Sequence, residues 1–192
     1  MQKATYSYRY GRNSEDRPHN PMENLSLNLG LGLGIGSGGS FGPDITTNGS
    51  LDDWSAGEPD DWDETTVGTG SIDEETVEVN TAGGSSAKIT TGDTAAINIR
   101  QTIAVLASRN YRLRYYTRGD GTRDGRHRVF DLSNIGDIIA NTFTGVTGTV
   151  WQLSTVDFIT PAGCISLFIS FSGNPTSSAE VYFDDISLKL RG

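Results

Sequence analysis

Cysteine is almost absent. Cys164 stands alone among 192 residues, so no intramolecular disulfide can form and the fold holds without oxidative staples. Cys164 lies in an apolar run, where a free cysteine packs as a small core residue. Histidine is scarce too, with only His19 and His127. No nucleophile, base and orienting group fall into a recognisable pattern, so the chain is read as not an enzyme. The glycines at 30–39 are not followed by Gly-Lys-Ser or Gly-Lys-Thr, which excludes a phosphate-binding loop. No run of roughly 18 apolar residues occurs, which excludes a transmembrane helix and membrane insertion through one. Positive charge is in the minority, with 15 Lys+Arg against 24 Asp+Glu and a net charge of −9. That balance disfavours nucleic acid as a partner. The opening residues, Met1 to Tyr10, have no apolar stretch before a small-residue cleavage site and do not read as a signal peptide.

What the chain has is glycine, 24 residues of it, with frequent Ser and Thr and no long helix-period pattern. This composition predicts an all-β protein rich in turns. Strands are expected near 76–80, 86–91, 95–103, 111–118, 127–133, 137–143, 150–159, 164–172 and 180–190. Gly, Asn, Pro or Asp separates most of them. That number at that spacing predicts a two-sheet sandwich.

The last of these stretches, Ala179 to Leu190, organises the reading. Period-two alternation places Tyr182, Ile186, Leu188 and Leu190 on one face, with Val181, Phe183, Asp185, Ser187 and Lys189 on the other. Asp184 then falls on the apolar face, where a carboxylate needs a partner. The expected partner lies far upstream, in Asn48-Gly-Ser-Leu-Asp-Asp-Trp54. These features, with Asp60-Asp61-Trp62, the Ile99-Arg-Gln-Thr-Ile103 strand and Val181-Tyr-Phe-Asp-Asp-Ile-Ser-Leu188, resemble the carbohydrate-binding modules of families 4, 9 and 22. The resemblance covers roughly residues 45–190. It implies a jelly-roll β-sandwich with galactose-binding-like topology. It also implies a structural calcium tying the opening segment to the final strand, with Asp52 and Asp184 as carboxylate ligands. Asp52 stands where the family more often has Glu, a longer reach. Without a metal, the same two residues read as a hydrogen-bonded pair capping a turn.

A sugar platform needs aromatic faces and hydrogen-bonding side chains. On 111–118, the face bearing Arg112, Arg114, Tyr116 and Arg118 is expected to be the wetter one. Arg128, with Arg126 and Phe130, is expected beside it. Arg112, Arg114, Tyr116 and Arg128 are therefore the candidate ligand-binding residues, for an acidic glycan or a protein. The same face also reads simply as a solvated strand surface. Trp54, Trp62 and Trp151 are expected to be buried. Arg118-Gly119-Asp120 spells an adhesion tripeptide but reads first as a hairpin turn.

Residues 1–44 differ from the rest. In Leu25-Ser-Leu-Asn-Leu-Gly-Leu-Gly-Leu-Gly-Ile-Gly36 the aliphatic residues Leu25, Leu27, Leu29, Leu31, Leu33 and Ile35 occupy every second position. Such a ribbon reads either as a tail or extra strand of its own domain, or as an arm that pairs with another subunit. The expected organisation is an N-terminal anchoring arm with a Gly-rich hinge over 1–44 and a sandwich over 45–192. The expected function is a non-catalytic virion protein, a capsid decoration or a tail component. Its arm would hold other virion subunits, in a homo-oligomer or larger assembly, while its sandwich faces host glycans at the virion surface. Phage decoration and tail proteins resemble such modules. The alternative is the carbohydrate-binding module of a secreted, extracellular glycoside hydrolase. A small hydrolase with a carboxylate pair is the third reading.

Overall fold

The computed structural model describes residues 39–66, 68–92, 97–175 and 179–192. The ribbon from Leu25 to Ile35 lies outside the described residues. The chain divides into two units, Met1–Ser37 and Gly38–Gly192, and the second is the β-sandwich.

One sheet contains β1 (Phe41–Asp44), β5 (Ser71–Glu75), β6 (Ser86–Thr90), β8 (Asn110–Arg118), β11 (Gln152–Ile159) and β13 (Glu180–Arg191). Its order is β11-β8-β13-β6-β5, with β1 added to β13. The other contains β4 (Asp63–Thr65), β7 (Asn98–Ala104), β9 (Arg126–Asp131), β10 (Gly136–Phe143) and β12 (Ser166–Ser172), ordered β10-β9-β12-β7-β4. A short ribbon pairs β2 (Trp54–Ser55) with β3 (Glu58–Pro59). Neighbouring strands are antiparallel throughout. No helix among the described residues is long and apolar enough to cross a membrane.

The two inner faces meet as alternation requires. Leu113 and Tyr115 of β8 face Val129 of β9 and Leu167, Ile169 and Phe171 of β12, all buried. Tyr115 meets Phe171 edge-on at 4.9 Å, and Phe171 meets Phe183 at 5.0 Å. Cys164 is buried in this core, as expected. Each large side chain enclosed here contributes about 1.5–3 kcal/mol of transfer free energy.

Three expectations are corrected. The first concerns the last strand. Asp185 has a φ of 48°, and the β13–β8 register shifts between Asp184 and Ser187. This β-bulge inserts one residue and reverses the alternation. Val181 and Phe183 therefore enter the core before it, and Ile186 and Leu188 after it. Asp184 and Tyr182 share the opposite face, so Asp184 does not lie between two core side chains. The second concerns 76–80, which is loop, whereas 71–75 is the strand. The Glu75 carboxylate accepts the Val77 and Glu78 backbone N–H groups at 2.8 and 3.3 Å, a local bond that competes with strand pairing. Val77 is 82% exposed, while Ile72 is buried against β6. The third concerns Trp151. It stands edge-on against Tyr182 at 6.4 Å, on the outer side of the sheet, and outside the core cluster. Trp62 is buried and Trp54 packs against the core while half-buried.

The opening segment docks on the bulge. Gly49 accepts the Ile186 N–H at 2.6 Å. A Cβ at Gly49 would meet Ile186 O at 2.0 Å, so only glycine allows this approach. Asn48, at a φ of 42°, donates its amide to Asp53 O and Asp60 O, and accepts from Trp62 Nε1 through its own carbonyl. Gln101, the polar centre of Ile99-Arg-Gln-Thr-Ile103, is buried and clamps Thr47 and Asp61 O. Phe41–Asp44, at the end of the stretch assigned to the hinge, forms β1 on the last strand.

Candidate functional site

The outer face of the five-stranded sheet carries a groove of about 400 Å³. Register explains its shape. Ser170 of β12 lies between Arg100 of β7 and Arg128 of β9, and Ser172 lies between Asn98 and Arg126. Two short side chains thus form a floor between long ones. Phe168, half-buried, lines one end, and Asn141 of β10 faces in from the side. The volume is within the range of small-ligand sites.

Arginines and rings interleave on this face. Phe130 and Phe168 stack at 5.1 Å with planes 16° apart. The Arg128 guanidinium lies 4.6 Å from the Phe130 centroid and 5.5 Å from that of Phe168. Arg126 lies 4.2 Å from the Phe143 centroid. Arg128 Nε donates to Asp137 Oδ1 at 2.5 Å, and Arg100 Nε is 3.4 Å from Asp63. No ion pair among the described residues reaches Arg126, whose Nε is buried without a hydrogen-bond partner.

Sequence reasoning grouped Arg112, Arg114, Tyr116 and Arg128, and the fold separates them. The first three share the outer face of the six-stranded sheet, while Arg128 stands on the five-stranded sheet and faces the other way. Arg112 is held by two 2.7 Å bonds to Asp157 and lies 5.0 Å from the Phe41 ring. That bond, the nearby charge of Arg112 and the charge of Arg191 hold the Asp157 carboxyl below the usual carboxylate range, despite partial burial. Arg118 is 8% exposed, bound to Glu78 and 4.7 Å from the Tyr182 ring. It is turned into the sheet surface, and Asp120 caps the following turn by accepting the Thr122 and Arg123 N–H groups. The tripeptide is not presented as a loop tip.

Sequence reasoning missed Asn98, Arg100, Asn141 and Phe168 as lining residues. The available signal was the pairing of alternate positions: Arg100 on 98–104, Arg126 and Arg128 on 126–131, and Phe168 on 166–172 all sit opposite core-facing neighbours. Which strands adjoin in a sandwich is not written in those local patterns.

Asp52 and Asp184 do approach one another at the bulge. Asp184 is 2% exposed and accepts the Asn80 N–H at 2.9 Å and its neighbour's N–H at 2.7 Å. Burial pushes its carboxyl up to about 6, and the charges of Asp185 and Asp52 act in the same direction. Asp185 accepts from Asn80 Nδ2 and Thr81 Oγ1, and Asp52 accepts the Ser85 N–H at 2.7 Å. The 80–85 loop therefore supplies donors to all three carboxylates, but no ion pair among the described residues reaches them.

No protein-family model matches the sequence, and no curated protein matches it. Solved structures do. A family 4 module, described under "CBM4 structure and function", is 20% identical with a TM-score of 0.57, over 75% of this chain and 98% of that one. The CBM22-1 xylan-binding domain of Paenibacillus barcinonensis Xyn10C is 15% identical with a TM-score of 0.56, over 79% and 95%. The enzymatically active domain of tailspike protein 4 of bacteriophage CBA120 is 16% identical with a TM-score of 0.58. That match covers 77% of this chain and 21% of the solved tailspike domain, so the chain spans about a fifth of that domain's length. At these identities the likeness is one of fold: the chain has the jelly-roll sandwich of carbohydrate-binding modules.

Proposed function

We propose that the sandwich is a non-catalytic glycan-binding module that seats its ligand in the groove of the five-stranded sheet. The observation that carries this reading is the groove itself. Its short serine floor, flanking amides and guanidiniums, and half-buried Phe168 supply the contacts a sugar needs: hydroxyl partners and an apolar face. Affinity electrophoresis against a panel of neutral and acidic polysaccharides tests it. Retention by at least one polymer, lost in Phe168→Ala while that variant stays folded at the assay temperature, is expected. Retention by none sinks the reading.

The N-terminal stretch that precedes β1 extends the proposal. The period-two aliphatic ribbon over Leu25 to Ile35 supports strand addition to another subunit, and with it a module displayed outward on a virion. The alternative is a module of a secreted glycoside hydrolase, for which the arm is dispensable. Light scattering of the full chain against a version starting at Gly39 separates them. Assembly lost on truncation favours the anchor, and two monomers favour the secreted module.

Asp52 and Asp184 are proposed as calcium ligands in this setting. What supports this reading is two carboxylates from distant segments, one of them buried and reached by no ion pair among the described residues, each oxygen with a lone pair left after its N–H bond. Backbone carbonyls would have to complete the set, since the described residues hold no group of three metal-ligating side chains. A bound cation would tie the opening segment to the last strand.

A further inference from the structure

This inference rests on the glycan reading above and names the class of glycan. We infer that the groove selects anionic polysaccharides and seats a carboxylate- or sulfate-bearing sugar against Arg126, between the rows set by Arg100 and Arg128.

Two independent observations carry it. The first is a local inversion of charge. The chain has a net charge of −9, yet three arginines line this groove and, among the described residues, no carboxylate does. Their placement follows from register. Arg126 and Arg128 are two apart on β9 and so share its outer face, and Arg100 lies across Ser170 from Arg128. Strands about 4.8 Å apart put Arg100 and Arg128 roughly 10 Å from each other, one on each side of the serine floor.

The second is an unfilled hydrogen bond. Arg126 has no ion pair among the described residues, and its Nε is buried without a partner. That Nε is closed to solvent, so an incoming acceptor meets the guanidinium at its terminal N–H groups, which carry the same unneutralised charge. The Phe143 ring, 4.2 Å from the guanidinium, fixes the fork against one wall while leaving its charge unneutralised. Arg100 and Arg128 are each partly engaged, by Asp63 and Asp137 at the rim. A planar guanidinium fork pairs bidentately with carboxylate or sulfate, whereas a sugar hydroxyl satisfies one N–H and leaves the charge.

The test uses the full chain in isothermal titration and affinity electrophoresis. The probes are polygalacturonate, alginate, polysialate and chondroitin sulfate, each beside its neutralised counterpart. Carboxyl reduction neutralises the first three; desulfation with carboxyl reduction neutralises the last, and desulfation alone separates its sulfate from its carboxylate. Binding to at least one acidic polymer is expected, weakened about tenfold or more by neutralisation and by raising NaCl from about 50 to about 300 mM. Arg126→Gln is expected to cost about tenfold at unchanged melting temperature, and Arg128→Gln serves if that variant folds poorly. Equal binding to a polymer and its neutralised form, with loss in Phe168→Ala but not in Arg126→Gln, overturns the anion selectivity and leaves the groove reading standing. No binding to any charged or neutral polymer overturns both.

Discussion

The two outer faces of the sandwich carry the same residue types and use them differently. On the six-stranded sheet, Arg112 and Arg191 share Asp157, Arg118 meets Glu78, Lys88 meets Glu180 and Lys189 approaches Asp44. Arg114 on that face stands outside these pairs, and Arg118 and Lys88 lie over the Tyr182 ring as well, making this the more fully paired face. On the five-stranded sheet the carboxylates stand at the rim, Arg126 has none, and short serines open a groove beneath. A count of arginines and aromatics does not separate these faces; the groove does, together with Arg126, which lines it and which no ion pair among the described residues reaches. A guanidinium without a carboxylate keeps its charge for a ligand.

The strongest way to break this comparison is to swap the aromatic under test. Phe168→Ala is expected to weaken glycan binding by about 2 kcal/mol, more than tenfold, because it removes the aromatic ring that lines the groove. Tyr116→Ala, on the paired face, is expected to leave binding unchanged. Isothermal titration of both variants with the best-retained polysaccharide decides it. The reverse ranking would move the site to the six-stranded sheet, where Arg112, Arg114 and Tyr116 lie together.

Most strands were legible because one face of each is buried, and burial writes a period of two into the sequence. Ile165, Leu167, Ile169 and Phe171 alternate with polar or half-exposed residues, and three of the four are fully buried, while Ile165 is 68% exposed beyond the strand end. The exceptions are local. At Asp185 a single inserted residue reverses the alternation, and the sequence marks it only by two adjacent aspartates. At 76–80 the alternation is real, but no strand among the described residues pairs with it. The site was harder to read because it is a property of four strands side by side. Arg128 was singled out on its own strand, but its neighbours Arg100, across Ser170, and Phe168, beside Phe130, come from strands 28 and 40 positions away in sequence.

The bulge sharpens the contrast from another side, since its three carboxylates have hydrogen-bond donors but no ion pair among the described residues. Asp184 has a folded pKa of about 6, above the ordinary 3.8. Between those values the folded state binds more protons than the unfolded one, so this group lowers stability as pH rises through the window. Glu64, pushed to about 7 by burial and by Glu58 and Asp73, acts in the same direction. His127, lowered by burial, acts in the opposite direction, losing stability as pH falls below 6.5. The Asp184 contribution is isolated by a difference. Acidification from pH 7.5 to 5 is expected to favour the natural chain over Asp184→Asn by about 1–2 kcal/mol, read as melting temperature against pH. If calcium occupies Asp52 and Asp184, millimolar calcium raises the melting temperature at pH 7.5, and chelation lowers it. That rise fades at pH 5, where the proton competes with the metal. A melting temperature indifferent to calcium and chelator at pH 7.5 removes calcium and leaves the hydrogen-bonded cap.

Stability then distinguishes the faces where binding does not. Glu78→Gln strips the carboxylate from Arg118, which is nearly buried, and is expected to cost about 1 kcal/mol. Arg126→Gln removes a cation that has no carboxylate partner, and the melting temperature is expected to stay level. Equal losses in the two variants would mean that Arg126 is paired in solution and the groove less open than its geometry implies.

The smallest effect belongs to Arg112, one of the four candidate ligand-binding residues of the sequence pattern. Arg112 makes two short bonds to Asp157, yet both side chains are partly exposed, where desolvation is slight and salt screens the attraction. Arg112→Gln is therefore expected to change stability by less than about 0.5 kcal/mol and glycan affinity not at all. A double-mutant cycle with Asp157→Asn measures the pair directly. A coupling near zero places Arg112 among the solvated strand positions. A coupling above about 1 kcal/mol would show that Phe41, stacked on the guanidinium, shields the pair and makes the β1–β13 edge a stability element in its own right.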